Sequence, residues 1–347
     1  MLTCQRHYVN AKPVPLGYGL DVDIRSVGAS GLRVSRIGLG TMTWGRDTDE
    51  HEASELLDTF LSAGGTLVDT ADVYADGESE KILGRLLTDA DRRAQVVLAT
   101  KAVSRPTSDR RFDASRGHLL STLNASLRRL GVEYIDLWQL HAWDPLTPID
   151  ETLSAIDAAV SSGKVHYVGV SNYAGWQVAT VAAMQTAVPG HFAPVCAQME
   201  YSLLQRGVER EVIPALKGHG MGLIAWSSLG RGVLSGKYRA GIPADSRAGN
   251  PLFASFVQPY LTEHARRIAD AVATAAEGLG ASSSEVALAW LRDQPGVTSA
   301  LVGARTPAQL RTALASEALV IPDPIKAALS DVSAPPMSYP EFGWNQR

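Results

Sequence analysis

The run VVLAT at residues 96–100 decides the fold. Its side chains do not alternate between apolar and polar, so a strand here keeps both faces from water, as the strands of a helix-covered parallel sheet do. Working outward, seven similar runs recur. The eight candidate strands cover residues 36–40, 66–69, 96–101, 134–141, 165–170, 194–198, 222–226 and 297–302. Segments of helical period separate them, at residues 52–63, 79–87, 115–130, 149–161, 176–186, 209–219, 262–280 and 306–315. Gly131, Gly163 and Gly280 stand where helix C-terminal glycines belong. Eight βα units of this kind close most simply into a (β/α)8 TIM barrel. The runner-up is an open doubly wound sheet. Its dinucleotide-binding form wants G-x-G-x-x-G directly after an early strand, and this sequence has none. Residues 23–34, with turn residues Gly28 to Gly31, suit a β-hairpin closing the barrel bottom. Long loops at 228–261 and after Val320 lie outside the repeat and are expected at the functional face.

Composition narrows the function. The chain has 347 residues, 36 acidic against 32 basic, with 45% hydrophobic residues. A net charge of −4 and the lack of a basic run argue against nucleic acid and anionic membrane as partners. The N-terminus has no basic and apolar leader, and Cys4 and Cys196 cannot make a disulfide framework. A cytoplasmic protein is expected. Arginine outnumbers lysine, a lean toward a GC-rich bacterial genome. Residues 1–23, rich in proline and glycine, read as a flexible extension, 24–332 as the barrel and 333–347 as a tail near its mouth. Histidines at neither H-x-x-x-H nor H-x-H spacing predict no metal site. Serines outside any G-x-S-x-G context argue against a hydrolase nucleophile.

Catalytic groups of a barrel come from the C-terminal ends of its strands. Asp69, Lys101 and His141 end the second, third and fourth strands, and Tyr74 follows Asp69 by five residues. Neighbouring strands lie about 4.8 Å apart, so these four converge on one small volume. A phenol near pKa 10 is a poor acid at neutral pH until a cation lowers it, and Lys101 is expected to be that cation. Asp69 would balance the ammonium, and His141 would hydrogen-bond a carbonyl oxygen. Any one of these residues alone reads more readily as structural. Together they fit proton donation to a carbonyl that receives hydride.

The blocks DTADVYADGESE (69–80), RLGVEYIDLWQLH (129–141) and GKVHYVGVSN (163–172) resemble the aldo-keto reductases, in order and spacing, across nearly the whole chain. The resemblance implies Tyr74 as general acid and base, with Asp69, Lys101 and His141 completing a tetrad, and a nicotinamide bound without a Rossmann fold. It also implies cofactor contacts. Gly40, Thr41 and Met42 would line the nicotinamide end, Ser171, Asn172 and Gln198 would hold the carboxamide, and Trp226 would stack on the ring. Ser227, Leu229, Gly232 and Lys237 belong to a pyrophosphate-holding loop, with Arg247 ten residues beyond Lys237. Gly303, Arg305 and Gln309 open a helix whose free N–H groups favour phosphate, and Arg305 would meet an adenosine 2′-phosphate. NADPH is therefore expected over NADH. Thr312 and Ala313 replace the acidic residue and asparagine that similar proteins use on adenine.

Trp44, Trp143 and Trp344 are candidates to wall a substrate pocket. The expected activity is NADPH-dependent reduction of an aldehyde, ketone or keto sugar by a monomer or weak homo-oligomer. The chain is also similar, around KYRAGIPADSR (237–247), to potassium-channel β subunits, which implies a cofactor-sensing alternative. Those typically carry asparagine where His141 stands. Nucleotide-sugar tailoring is a further alternative, differing only in substrate.

Overall fold

A computed structural model describes residues 22–244 and 246–337, without the side chain of Leu252. The expected extension, apart from its last two residues, and Trp344 lie outside the described residues. The hairpin of β1 (Ile24–Ser26) and β2 (Arg33–Ser35) leads into β3 (Ile37–Gly40), α1 (Glu50–Ser62), β4 (Leu67–Asp69), α2 (Glu78–Leu86), α3 (Ala90–Gln95) and β5 (Val97–Ala102). The chain continues through α4 (Arg116–Leu130), β6 (Ile135–Leu140), α5 (Ile149–Ser161), β7 (Val165–Ser171), α6 (Gly175–Thr186) and β8 (Cys196–Glu200). It ends with α7 (Val212–Gly218), β9 (Gly222–Trp226), α8 (Pro251–Val257), α9 (Glu263–Leu279), α10 (Ser283–Arg292), β10 (Val297–Val302), α11 (Pro307–Ala315) and α12 (Asp323–Val332).

Strands β3 to β10 close a parallel barrel in sequence order, β10 pairing with both β9 and β3. The expected (β/α)8 barrel is therefore what forms. Inside it, Leu67, Ala99, Leu137, Cys196, Ile224 and Leu301 make an apolar layer, and Val27, Leu32 and Val34 of the hairpin plug it from below. The hairpin fits because Gly28 is glycine: its φ is +56°, and a Cβ there would lie 2.2 Å from Gly220 O. A second, larger core fills the space between strands and helices.

Helix starts follow local chemistry. Asp49 caps α1 by accepting from the Glu52 N–H, while Glu52 accepts from the Asp49 N–H. Ser282 and Glu285 do the same for α10. This helix was not expected, and neither were α3, α8 and α12. Every residue from Val286 to Arg292 of α10 is buried, so it shows no polar face and no stripe for periodicity to detect. Helix α8 and two 3-10 turns likewise give structure to the segment read as a long loop at 228–261.

Side-chain alternation positions the site. Two residues beyond Leu67, Ala99, Leu137 and Cys196 come Asp69, Lys101, Gln139 and Gln198, on the same inward face and one layer higher. A polar layer thus rests directly on an apolar one, at the C-terminal end of the barrel.

Candidate active site

The polar layer is fully buried and tightly bonded. Lys101 Nζ donates to Asp69 Oδ2 at 2.6 Å and to Thr70 O at 2.7 Å, and lies 3.4 Å from Tyr74 Oη. Asp69 Oδ1 accepts from Gln198 Nε2 at 2.8 Å and from Gln139 Nε2 at 3.2 Å. A buried carboxylate and ammonium survive without water only when paired and saturated in this way. Burial pulls the Lys101 ammonium downward, but Asp69 and Tyr74 outweigh it and the net shift is upward. Lysine stays charged.

The structure corrects one expectation about Tyr74. Burial pushes its phenol up, and Lys101, which pulls the other way, does not overcome it. The cation offsets the cost of burial rather than delivering an acidic phenol. The phenol is held on a strained turn: Ala75 and Asp76 are left-handed at φ 48° and 54°, and Gly77 follows at 87°. A Cβ on Gly77 would lie 2.9 Å from Arg129 Cδ. Ser79 braces the turn by donating to Thr41 O at 3.0 Å, with its hydroxyl 2.8 Å from Thr41 Oγ1 and 3.0 Å from Thr70 Oγ1.

His141 faces Tyr74 edge-on, ring centroids 6.1 Å apart. Burial first and Lys101 second hold its pKa down to about 3, so the imidazole is neutral and Nδ1 has no partner. Its carbonyl accepts from Asn172 Nδ2 at 2.9 Å, and Asn172 Oδ1 accepts from Trp226 Nε1 at 3.1 Å. Ser171 Oγ donates to Gln198 O at 2.9 Å. Four strand ends are thereby cross-linked around the mouth.

From this floor a cavity of about 510 Å³ runs to the end of the barrel wall. Asp69, Tyr74 and His141 line one end, Gly40, Met42, Ser171, Asn172, Gln198 and Trp226 the middle, and Ser227, Leu229, Gly232, Lys237, Arg247, Gly303, Arg305 and Gln309 the rest. Of the expected cofactor positions only Thr41 is missing. It is fully buried, and its hydroxyl serves Ser79 and Asp69 O instead. Trp44 also moves from the expected substrate wall to the core: it is 0% exposed, because the chain turns back after β3 with Trp44 N–H donating to Thr41 O. Trp143, also expected on the substrate wall, is not among the residues lining this cavity: it packs partly buried against the core, edge-on to Tyr173 at 5.3 Å and to Trp176 at 5.4 Å.

The far end is cationic. Burial lowers the Arg247 guanidinium and Arg305 adds to the effect, so positive charge is concentrated without full neutralisation. The start of α11 contributes less than expected, since Pro307 has no N–H and the Gln309 N–H is taken by Thr306 Oγ1 at 3.3 Å. Thr312 and Ala313, at the positions the resemblance placed on the adenine, line this cavity, and so does Ser284, which was not anticipated. Neither was Arg231. It is left-handed at φ 56°, binds Glu200 through Nε at 2.9 Å and Nη2 at 2.8 Å, and donates to Phe256 O at 2.5 Å. Phe256 stacks on its guanidinium at 4.0 Å.

Residues 36–332 match the Aldo/keto reductase family. The chain belongs to that family. It is 37% identical over 321 residues to the uncharacterized oxidoreductase YrpG of Bacillus subtilis (strain 168), covering 88% of this chain and 94% of that protein. Probable voltage-gated potassium channel β subunits are also similar. That of Oryza sativa subsp. japonica is 34% identical, covering 81% of this chain and 86% of that protein; that of Arabidopsis thaliana is 33% identical, covering 83% and 88%. As an aldo/keto reductase the chain is an oxidoreductase of a family that works with nicotinamide cofactors. No helix among the described residues is long and apolar enough to cross a membrane.

The donor set fits such a cofactor. The hydrogen bonds that fix Gln198 use Nε2, leaving Oε1 to accept from a carboxamide. Trp226 borders the same stretch of cleft, and the cations stand at the opposite end from the tetrad.

Proposed function

We propose that this protein reduces an aldehyde, ketone or keto sugar to the alcohol with NADPH. The observation that carries the reading is the sealed Asp69–Lys101–Tyr74 chain, bonded at 2.6 Å and 3.4 Å, at the floor of a cleft whose other end holds Arg247 and Arg305. Bound NADPH supplies the hydride. Ser171, Asn172 and Gln198 orient the carboxamide, while Lys237, Arg247 and Arg305 hold the phosphates, including the 2′-phosphate that distinguishes NADPH. Neutral His141 donates a hydrogen bond to the carbonyl oxygen and keeps it beside the phenol. Tyr74 then gives its proton to that oxygen, and Lys101 stabilises the negative charge left on the phenol. The protein works as a cytoplasmic monomer or weak homo-oligomer, on small molecules rather than nucleic acid or membrane.

A cofactor-sensing role is the second reading, supported by the similarity to probable channel β subunits. One experiment separates the two. Single-turnover loss of nicotinamide absorbance is followed with a panel of aldehydes and quinones, with NADH and Tyr74→Phe in parallel. Reduction predicts oxidation that prefers NADPH and falls about 10²- to 10⁴-fold in Tyr74→Phe, with NADPH binding retained. Tight binding of NADPH with no oxidation by any carbonyl would instead favour sensing.

A further inference from the structure

Asp72 is a carboxyl in the turn before Tyr74 that the roles above leave unused. Its N–H donates to Lys101 O at 3.3 Å, which ties it to the strand end that carries the ammonium. Its Oδ1 is sealed from solvent and has no hydrogen-bond partner. The charged groups facing it are Glu80 from α2, Arg129 from α4 and Lys101 from β5, with Tyr74 on its own segment. Glu80 is fully buried and satisfied, accepting from Thr100 Oγ1 and from Arg129 Nε, each at 2.6 Å. Asp69 is satisfied by Lys101. Two cations therefore serve three carboxyls, and the direct ion pairs go to Asp69 and Glu80. Asp72 as a residue is only partly buried, but with one carboxyl oxygen sealed and unbonded, the desolvation outweighs the help its charged form gets from Arg129, Lys101 and the Val73 N–H, and the proton is kept to higher pH than usual. Burial first and the Glu80 charge second raise Asp72 to about 7.

We propose that Asp72 is a positioning residue for proton transfer at Tyr74: neutral, it lets the phenol give and take a proton, and ionised, it opposes the negative charge that forms on the phenol oxygen. This rests on Tyr74 being the general acid. In reduction the Tyr74 O–H bond breaks, its proton forms the new alcohol O–H, hydride from the nicotinamide forms the new C–H, and the electron pair of the broken bond stays on the phenol oxygen. A carboxylate charge at Asp72, two residues along the same segment, raises the phenol pKa and so disfavours the last change. His141 does not titrate in the same range, since it is neutral down to about pH 3.

The test is the pH profile of kcat for reduction of a reactive aromatic aldehyde at saturating NADPH. In the natural protein kcat falls as pH rises through about 7, by roughly two- to tenfold, as expected of like charges interacting through partly solvated protein. Asp72→Asn removes the fall and Asp72→Glu keeps one. If Asp72→Asn does not fold, Arg129→Met, which removes a cation favouring the ionised form, moves the fall to higher pH. A second readout needs no turnover. In ultraviolet difference titration of the cofactor-free protein, with Tyr74→Phe as blank, the Tyr74 phenol ionises at lower pH in Asp72→Asn. An unchanged fall in Asp72→Asn, an unshifted one in Arg129→Met, or an unmoved phenol titration overturns the proposal. A protein that reduces no carbonyl defeats the reductase reading instead, and the phenol titration still decides the role of Asp72.

Discussion

The floor of the cleft and its cationic end differ in how their charge is settled. On the floor, Lys101 and Asp69 saturate one another inside the barrel, and Gln139 and Gln198 take up the remaining carboxylate oxygen. At the far end, burial first, with Arg305 among the neighbouring charges, holds the Arg247 guanidinium below its ordinary pKa. On the floor the Asp69 and Lys101 charges balance one another within the protein while His141 Nδ1 is left without a partner, whereas the far end gathers cations. On the proposed function, an anionic cofactor would balance that gathered charge.

The largest effect that sharpens this contrast is expected on the floor. Lys101→Met leaves Asp69 as a buried, unpaired carboxylate, so stability should drop by about 3–5 kcal/mol and reduction should cease. Denaturant unfolding measures the first. The double variant Asp69→Leu/Lys101→Met should recover most of the stability and none of the activity. If Lys101→Met unfolds like the natural protein, the floor is less dry than its contacts require. At the far end Arg305→Ala should leave stability within about 0.5 kcal/mol, because the residue is exposed there. Its loss should weaken NADPH about tenfold to a hundredfold and NADH hardly at all, consistent with a charge-assisted contact to a 2′-phosphate. Equal weakening of both cofactors would reassign Arg305 to adenine or pyrophosphate.

The two ends were also unequally legible in the sequence. Asp69, Lys101 and His141 terminate apolar runs, and a strand's two-residue period brings Asp69 and Lys101 to one inward layer and His141, two residues beyond Gln139, just above it. Their convergence follows from spacing alone. The direction of the Tyr74 shift does not, because it is set by a contest between burial and a cation that only packing decides. Trp44 and Thr41 were misplaced because the turn after β3 folds both inward, and nothing in the local sequence marks which way a loop side chain faces. Arg231 was hidden for a related reason. Its role depends on a left-handed backbone that arginine rarely adopts, within a loop whose partners, Glu200 and Phe256, stand 31 residues before and 25 residues after it.

Arg231 supplies the smallest and most discriminating effect. Its guanidinium joins the end of β8, through Glu200, to the last turn of α8, through Phe256 O, while Phe256 covers its face. Arg46 of the loop after β3 lies 4.2 Å from the Phe253 ring, so α8 also touches the opposite bank of the cleft. On the proposed function, a bound dinucleotide would leave past this strap formed by α8, and loop motion of that kind limits turnover in many enzymes. Glu200→Gln keeps the hydrogen-bonding shape and removes the ion pair, which is about 15% exposed on each side chain. A partly screened pair of this kind contributes modestly, so NADPH should leave about two- to fivefold faster in stopped-flow fluorescence. If release limits the cycle, kcat rises by the same factor while KM for NADPH rises with it. A strap that was merely misfolded would lower kcat, and unchanged release would mean that the strap stays closed through contacts other than Arg231.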